Sequence, residues 1–153
     1  NVDMPTMPLD ILSVFNNDNS VVVFDVGGDD DGALALGQYK QYFDKYGYEM
    51  HFIVNTKRPL TRTNDELIEI AERIESASRL KFTDIYNNTN LSDQTDETTL
   101  FSGYDEIKML SNKMGIVIKK NFGIDKALSN VPTNLKDTVF RMNICILRPW
   151  EIQ

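Results

Sequence analysis

One cysteine, one histidine and one tryptophan are all that 153 residues carry of those types. The lone thiol, Cys145, excludes an internal disulfide and fits a reducing compartment, which places the expected location in the cytoplasm. The lone imidazole, His51, falls inside an apolar run with no acid or cysteine at metal-ligand spacing, and is read as structural. Basic residues are also scarce: 16 Lys and Arg stand against 23 Asp and Glu, for a net charge of −7. Only Lys57, Arg58 and Arg62 lie close together. A nucleic-acid binder draws much of its affinity from a basic face, so direct contact with DNA or RNA is not expected. No apolar run approaches the length of a membrane span, and no signal-peptide pattern opens the chain. Hydrophobic and charged fractions of 41% and 25% are ordinary for a globular protein, and the length suits a single domain over 1–153.

What is present is an alternation of strand-like and helix-like segments. A lead-in, 1–20, holds Pro5, Pro8 and a short apolar stretch from Leu9 to Phe15 able to make one or two helical turns. Val21-Val22-Val23-Phe24-Asp25 reads as a strand buried on both faces, followed by Val26-Gly27-Gly28 and three aspartates. A helix is expected from Ala33 to about Phe43 with Asp31 as its N-cap, then a strand over 50–54. Thr63 and Glu66 form a capping box for a helix running to about Ser78, with Leu67, Ile70, Ala71, Ile74 and Ala77 as its buried stripe. Further strands are expected at Phe82–Tyr86, at 116–118 and at Phe140–Leu147, the last with one wet face. Residues 88–99 read as a polar loop, Tyr104–Met114 as a helix stopped by Gly115, and 124–128 as a weak helix. The fold class is therefore α/β, three layers around a mostly parallel sheet.

A strand that ends on an acid and two glycines delivers a carboxylate, and backbone N–H groups, to the sheet edge where ligands of open α/β folds bind. That pattern points to phosphate or metal chemistry at Asp25, Gly27 and Gly28. The phosphate cradle itself is missing. The nearest match to a P-loop is Gly32-Ala33-Leu34-Ala35-Leu36-Gly37-Gln38-Tyr39, where Gln38 stands in place of the lysine and Tyr39 in place of the hydroxyl. An EF-hand fails as well: with Gly32 in the glycine place, its first and last ligands would be Gly27 and Gln38. Asp29, Asp30 and Asp31 read as helix N-terminal charges, Lys57 and Arg58 as a solvated loop pair, Cys145 as buried, and Trp150 as packing over the sheet.

Asp25-Val26-Gly27-Gly28, the strand end Val54-Asn55 and the strand end Ile85-Tyr86-Asn87 follow one another in an order that resembles a P-loop ATPase of the ParA/MinD type, over about 20–130. Asn1-Val2-Asp3-Met4-Pro5, Asp25-Val26-Gly27-Gly28-Asp29-Asp30 and Asn55-Thr56-Lys57-Arg58-Pro59 look more narrowly like a bacterial branch of that group. The resemblance implies an ATP-dependent switch with ATP and magnesium as cofactors. Asp25 would be the Walker B acid that holds magnesium through water, Gly27 and Gly28 the γ-phosphate switch, and Asn87, with Asn55, the nucleotide-binding amides. An amide offers both a donor and an acceptor to a purine edge. With no P-loop and no initiator Met, the chain reads as the C-terminal portion of a longer ATPase whose N-terminal P-loop segment is its missing partner. Alone it is expected to be inactive and without cofactor. In that group the P-loop strand separates 21–25 from 50–54. Here the two are expected to pair directly, or the 21–25 edge to be covered by 1–15 or by a second copy in a homodimer. Two other readings stay open: a sugar-kinase or actin-like phosphate-binding domain, and a non-catalytic α/β interaction module.

Overall fold

A computed structural model describes residues 9–16 and 20–145. Among the described residues four strands form one sheet: β1 (His51–Val54), β2 (Asp84–Asn87), β3 (Val117–Gly123) and β4 (Val139–Arg141). All three pairings are parallel and the spatial order is the chain order, β1-β2-β3-β4. The α/β class with a parallel sheet is thus the observed one. The helices are α1 (Asp30–Gly37), α2 (Lys40–Tyr46), α3 (Asn64–Ser78), α4 (Glu97–Phe101) and α5 (Tyr104–Met114), with 3-10 turns at Leu9–Asn16, Ser92–Gln94, Asp125–Leu128 and Thr133–Thr138. Among the described residues no helix is long and apolar enough to cross a membrane.

The chain divides into two compact units. The first takes residues up to Met50 together with Glu69–Phe82; the second takes His51–Ile68 and everything from Thr83 on. The entire sheet belongs to the second unit. Its interior is made by Phe52 and Val54 of β1, Ile85 of β2, Leu67 of α3, Leu100 of α4, and Ile107 and Leu110 of α5, all buried. α5 packs on β2 and β3 and ends at Gly115, whose φ of 69° is the left-handed conformation that closes a helix. β3 is longer than the triplet expected from sequence. A one-residue bulge lets Ile85 face Ile118 while Tyr86 faces Lys120, so the polar run Lys119-Lys120-Asn121 continues the strand.

The first unit is built on aromatic packing. Leu36, Phe43 and Leu80 are buried, and Phe15, Phe24, Val26, Tyr39, Tyr48 and Met50 pack against them. The strand expected over 21–25 is not formed. Residues 20–27 run without a ladder partner, Val21 and Val23 stand 95% and 85% exposed, and the stretch is held by side chains instead. Phe24 lies 5.5 Å from Phe43 and 6.1 Å from Phe15 between ring centroids. A β-branched run supplies propensity, but a strand exists only where a neighbour completes its hydrogen bonds. The expected pairing of 21–25 with 50–54 is accordingly absent.

The single helix expected from Ala33 to about Phe43 is two. Gly37 sits where a Cβ would come within 2.8 Å of the Ala77 carbonyl, and the Arg79 guanidinium takes the Gly37 carbonyl, ending α1 there. Its N-cap is Asp29 rather than Asp31: Asp29 Oδ1 accepts the Gly32 N–H at 2.9 Å. The capping box at the start of α3 is as expected. Glu66 N–H donates to Thr63 Oγ1 at 3.3 Å, and Glu66 Oε2 accepts the Thr63 N–H at 3.0 Å. The polar stretch 88–99 contains a 3-10 turn and the start of α4, capped by Asp96, whose Oδ1 accepts the Thr99 N–H at 2.7 Å. The last strand stops at Arg141, and Cys145 is exposed rather than buried, lying past the end of that ladder. Ile146, Leu147 and Trp150 lie outside the described residues.

Candidate functional site at the carboxyl edge of the sheet

In a parallel sheet the loops that leave the strand carboxyl ends converge on one edge. Here those of β1 and β2 interlock. Asn88 N–H donates to the Val54 carbonyl at 2.8 Å, carrying the β1–β2 ladder one step past the strands. Asn55 then ties the two loops together: its Oδ1 accepts the Lys57 N–H (2.9 Å) and the Asn90 N–H (3.3 Å), and its Nδ2 donates to the Asn90 carbonyl at 3.2 Å. Thr56 and Thr89 meet below, with Thr89 Oγ1 accepting the Thr56 N–H at 3.2 Å and standing 3.2 Å from Thr56 Oγ1. Both threonines are buried.

Of the amides singled out by sequence, Asn55 and Asn87 are brought to the same edge, in different roles. Asn87 is fully buried, and both ends of its amide are engaged within the chain. Its Nδ2 donates to the Leu100 carbonyl (3.2 Å) and to Asn121 Oδ1 (3.0 Å), while its Oδ1 accepts the Thr89 N–H (3.0 Å). Asn87 therefore shapes the loop after β2 and presents no free amide edge. Asp25, Gly27 and Gly28 lie exposed in the first unit. Gly27 approaches Gly32 so closely that a Cβ on Gly32 would stand 3.0 Å from the Gly27 carbonyl.

Beside the interlocked loops is an open cleft of about 450 Å³, lined by Thr56, Lys57, Arg62, Leu91, Gly103 and Glu106, among others. Its floor is the start of α5. Gly103 is the N-cap, and a side chain there would collide with Thr56, because a Cβ would fall 2.2 Å from Thr56 Oγ1. Arg62 is fixed at its backbone: Glu66 Oε2 accepts its N–H at 2.8 Å. That bond, and then the one from the Thr63 N–H, hold the Glu66 carboxyl below its ordinary pKa. Glu106 Oε2 accepts the Asn64 N–H at 2.8 Å, joining the starts of α3 and α5. Burial pushes the pKa of the neighbouring Tyr104 hydroxyl up.

Sequence reasoning did not single out Thr56, Thr89, Gly103 or Glu106. The signal available was the cluster of hydroxyl and amide residues after each strand, which reads as ordinary turn chemistry until the ladder sets it side by side. His51 also has a partner that spacing does not reveal: its Nδ1 lies 2.6 Å from Asp84 Oδ1, and Lys119 Nζ stands 3.5 Å from the other oxygen. This pair occupies the amino ends of β1 and β2, opposite the interlocked loops. No family model matches this chain, and neither the curated proteins nor the solved structures return a match.

Proposed function

We propose that the sheet unit is the base-side portion of a ParA/MinD-type nucleotide switch. The supporting observation is the placement of Val54-Asn55 and Asn87-Asn88 side by side at the carboxyl edge of an all-parallel sheet whose strands follow chain order. The resemblance assigns these two strand ends, Asn55 and Asn87, to the nucleotide-binding amides. Asn87 then serves as a positioning residue: it holds the Thr89 N–H, and with it the loop that a base would meet. Asp25 keeps its proposed magnesium role, and Gly27 and Gly28 their proposed response to the γ-phosphate, on the resemblance alone.

The donor set fits one part of the implied cofactor and not another. Amides and hydroxyls after β1 and β2 suit the hydrogen-bonding part of a nucleotide. A glycine-lysine phosphate cradle is not in the 153 residues, and Asp25 does not stand at the end of a strand. The purified chain is expected to show no magnesium-dependent ATP turnover, and the coding sequence adjoining Asn1 to specify a Gly-Lys-Gly-Gly-type loop. Turnover by this chain that vanished in Asp25→Asn would sink the proposal and favour a sugar-kinase-like domain.

A further inference from the structure

The cleft beside the interlocked loops carries a chemistry of its own. Two cations, Lys57 and Arg62, and one carboxylate, Glu106, line it together with an apolar wall, Leu91. In a chain with a net charge of −7 this is where basic residues cluster, so its positive character is local and not a by-product of composition. Among the described residues neither Lys57 nor Arg62 has a carboxylate at ion-pair distance, although the Arg62 charge acts at longer range on Glu66 and Glu106 lines the same cleft. The second oxygen of Glu106 is likewise left over after Oε2 takes the Asn64 N–H.

The loop that bears the cations is pre-set. Thr61 Oγ1 donates to the Asn55 carbonyl at 2.7 Å and Arg58 N–H to the same oxygen at 3.1 Å. Between them Leu60 is held at φ 65°, a left-handed conformation unfavourable for a leucine, which persists only where surrounding bonds over-determine it. Ordering the loop before a ligand arrives lowers the entropic cost of binding.

We infer that this cleft binds a sugar phosphate, with Lys57 and Arg62 taking the phosphate and Glu106 accepting from sugar hydroxyls. Two cations about balance a phosphomonoester, whose charge at neutral pH is roughly −1.5 to −2, and a carboxylate set apart from the phosphate is a suitable acceptor for vicinal hydroxyls. Leu91 gives the less polar ring face something to lie on. A free sugar phosphate and the sugar-phosphate portion of a nucleotide share this chemistry. The inference stands on the cleft and does not require the ATPase reading.

Titration of the whole chain with ribose 5-phosphate, AMP, inorganic phosphate and ribose, followed by calorimetry and amide NMR shifts, tests it. Ribose 5-phosphate or AMP should bind at least tenfold more tightly than inorganic phosphate or ribose, shifting the amides of Lys57, Leu91 and Gly103. Lys57→Ala and Arg62→Ala, both at exposed positions that leave the fold intact, should each weaken binding about tenfold. Glu106→Gln keeps an acceptor for the Asn64 N–H, and should erase the preference for sugar phosphate over inorganic phosphate. AMP binding well above ribose 5-phosphate would identify a nucleotide as the source; equal binding would identify a free sugar phosphate. The inference is overturned by no binding of any probe, by affinities that ignore Lys57 and Arg62, or by inorganic phosphate binding as tightly as the sugar phosphate. None of these outcomes bears on ATP turnover, so the two proposals fail separately.

Discussion

Asn87 Nδ2 lies 3.0 Å from Asn121 Oδ1, so β2 and β3 are joined by side chains at the same register position where their backbones pair. Asn121 passes the chain on to β4's approach, its Nδ2 donating to Thr138 Oγ1 at 2.9 Å. Both asparagines are fully buried, and each leaves partners unsatisfied if removed. Asn87→Ala should therefore cost about 1–3 kcal/mol of stability, read as a lower urea midpoint. Asn121→Ala should fall in the same range, and the double variant should lose less than the two combined, because the bond they share can be lost only once. Additive losses would show the two amides to be independent.

The cap of α1 separates two neighbouring aspartates. Asp29→Ala removes the acceptor of the Gly32 N–H and should cost about 1 kcal/mol. Asp31→Ala, at an exposed position in the first turn of α1, should change stability by less than about 0.5 kcal/mol. A larger loss for Asp31→Ala than for Asp29→Ala in thermal melts would return the cap to Asp31.

How far the sequence could be read follows the range of the interactions involved. Thr63 and Glu66 are three residues apart, and their capping box was legible because everything it needs is local. The same holds for Gly115 ending α5. Val21–Asp25 misled for the opposite reason: its propensity is local, but a strand needs a neighbour, and the aromatic cluster around Phe43 anchors the stretch instead. The break after Gly37 depends on Arg79, far along the chain. At the site, Asn55 and Asn87 were legible as strand ends. That Asn87 is consumed by Leu100, Asn121 and Thr89 was not, because two of those partners come from α4 and β3.

Two glycines can be told apart by substitution. Gly103→Ala drives a methyl group into Thr56 and should destabilise the fold by about 1–3 kcal/mol. Gly28→Ala meets nothing within 4 Å, and should leave the urea midpoint unchanged within about 0.5 kcal/mol. An alanine at 28 is thus a clean probe of the proposed γ-phosphate response, since any functional loss cannot be charged to unfolding.

Acid should loosen the cleft from the Arg62 side. The Arg62 and Thr63 N–H groups stabilise the charged form of Glu66, lowering its pKa below the ordinary 4.5. A lowered carboxyl contributes stability above its ordinary pKa and loses it as pH falls through the folded value. Hydrogen exchange at Arg62 and Thr63 should accelerate as pH falls below about 4.5, relative to matched unstructured peptides. Glu66→Gln keeps a neutral acceptor and should show protection that does not change with pH, with the acid-dependent step gone. Unchanged protection down to strongly acid pH would remove Glu66 from the loop's anchorage.

The sheet's chain-order arrangement bears on how the protein is made. His51 and Asp84, adjacent across β1 and β2, are 33 positions apart, and each later strand again lies beside the one synthesised just before it. During translation every new strand finds its template already finished, and never has to insert between two older ones. The entropy of closing such a loop grows only with the logarithm of its length, so each addition is a modest and repeatable step. Growth at one edge in order of emergence from the ribosome would spare this sheet the wait that a rearranged strand order imposes on its earliest strands, when unpaired edges are most prone to aggregate.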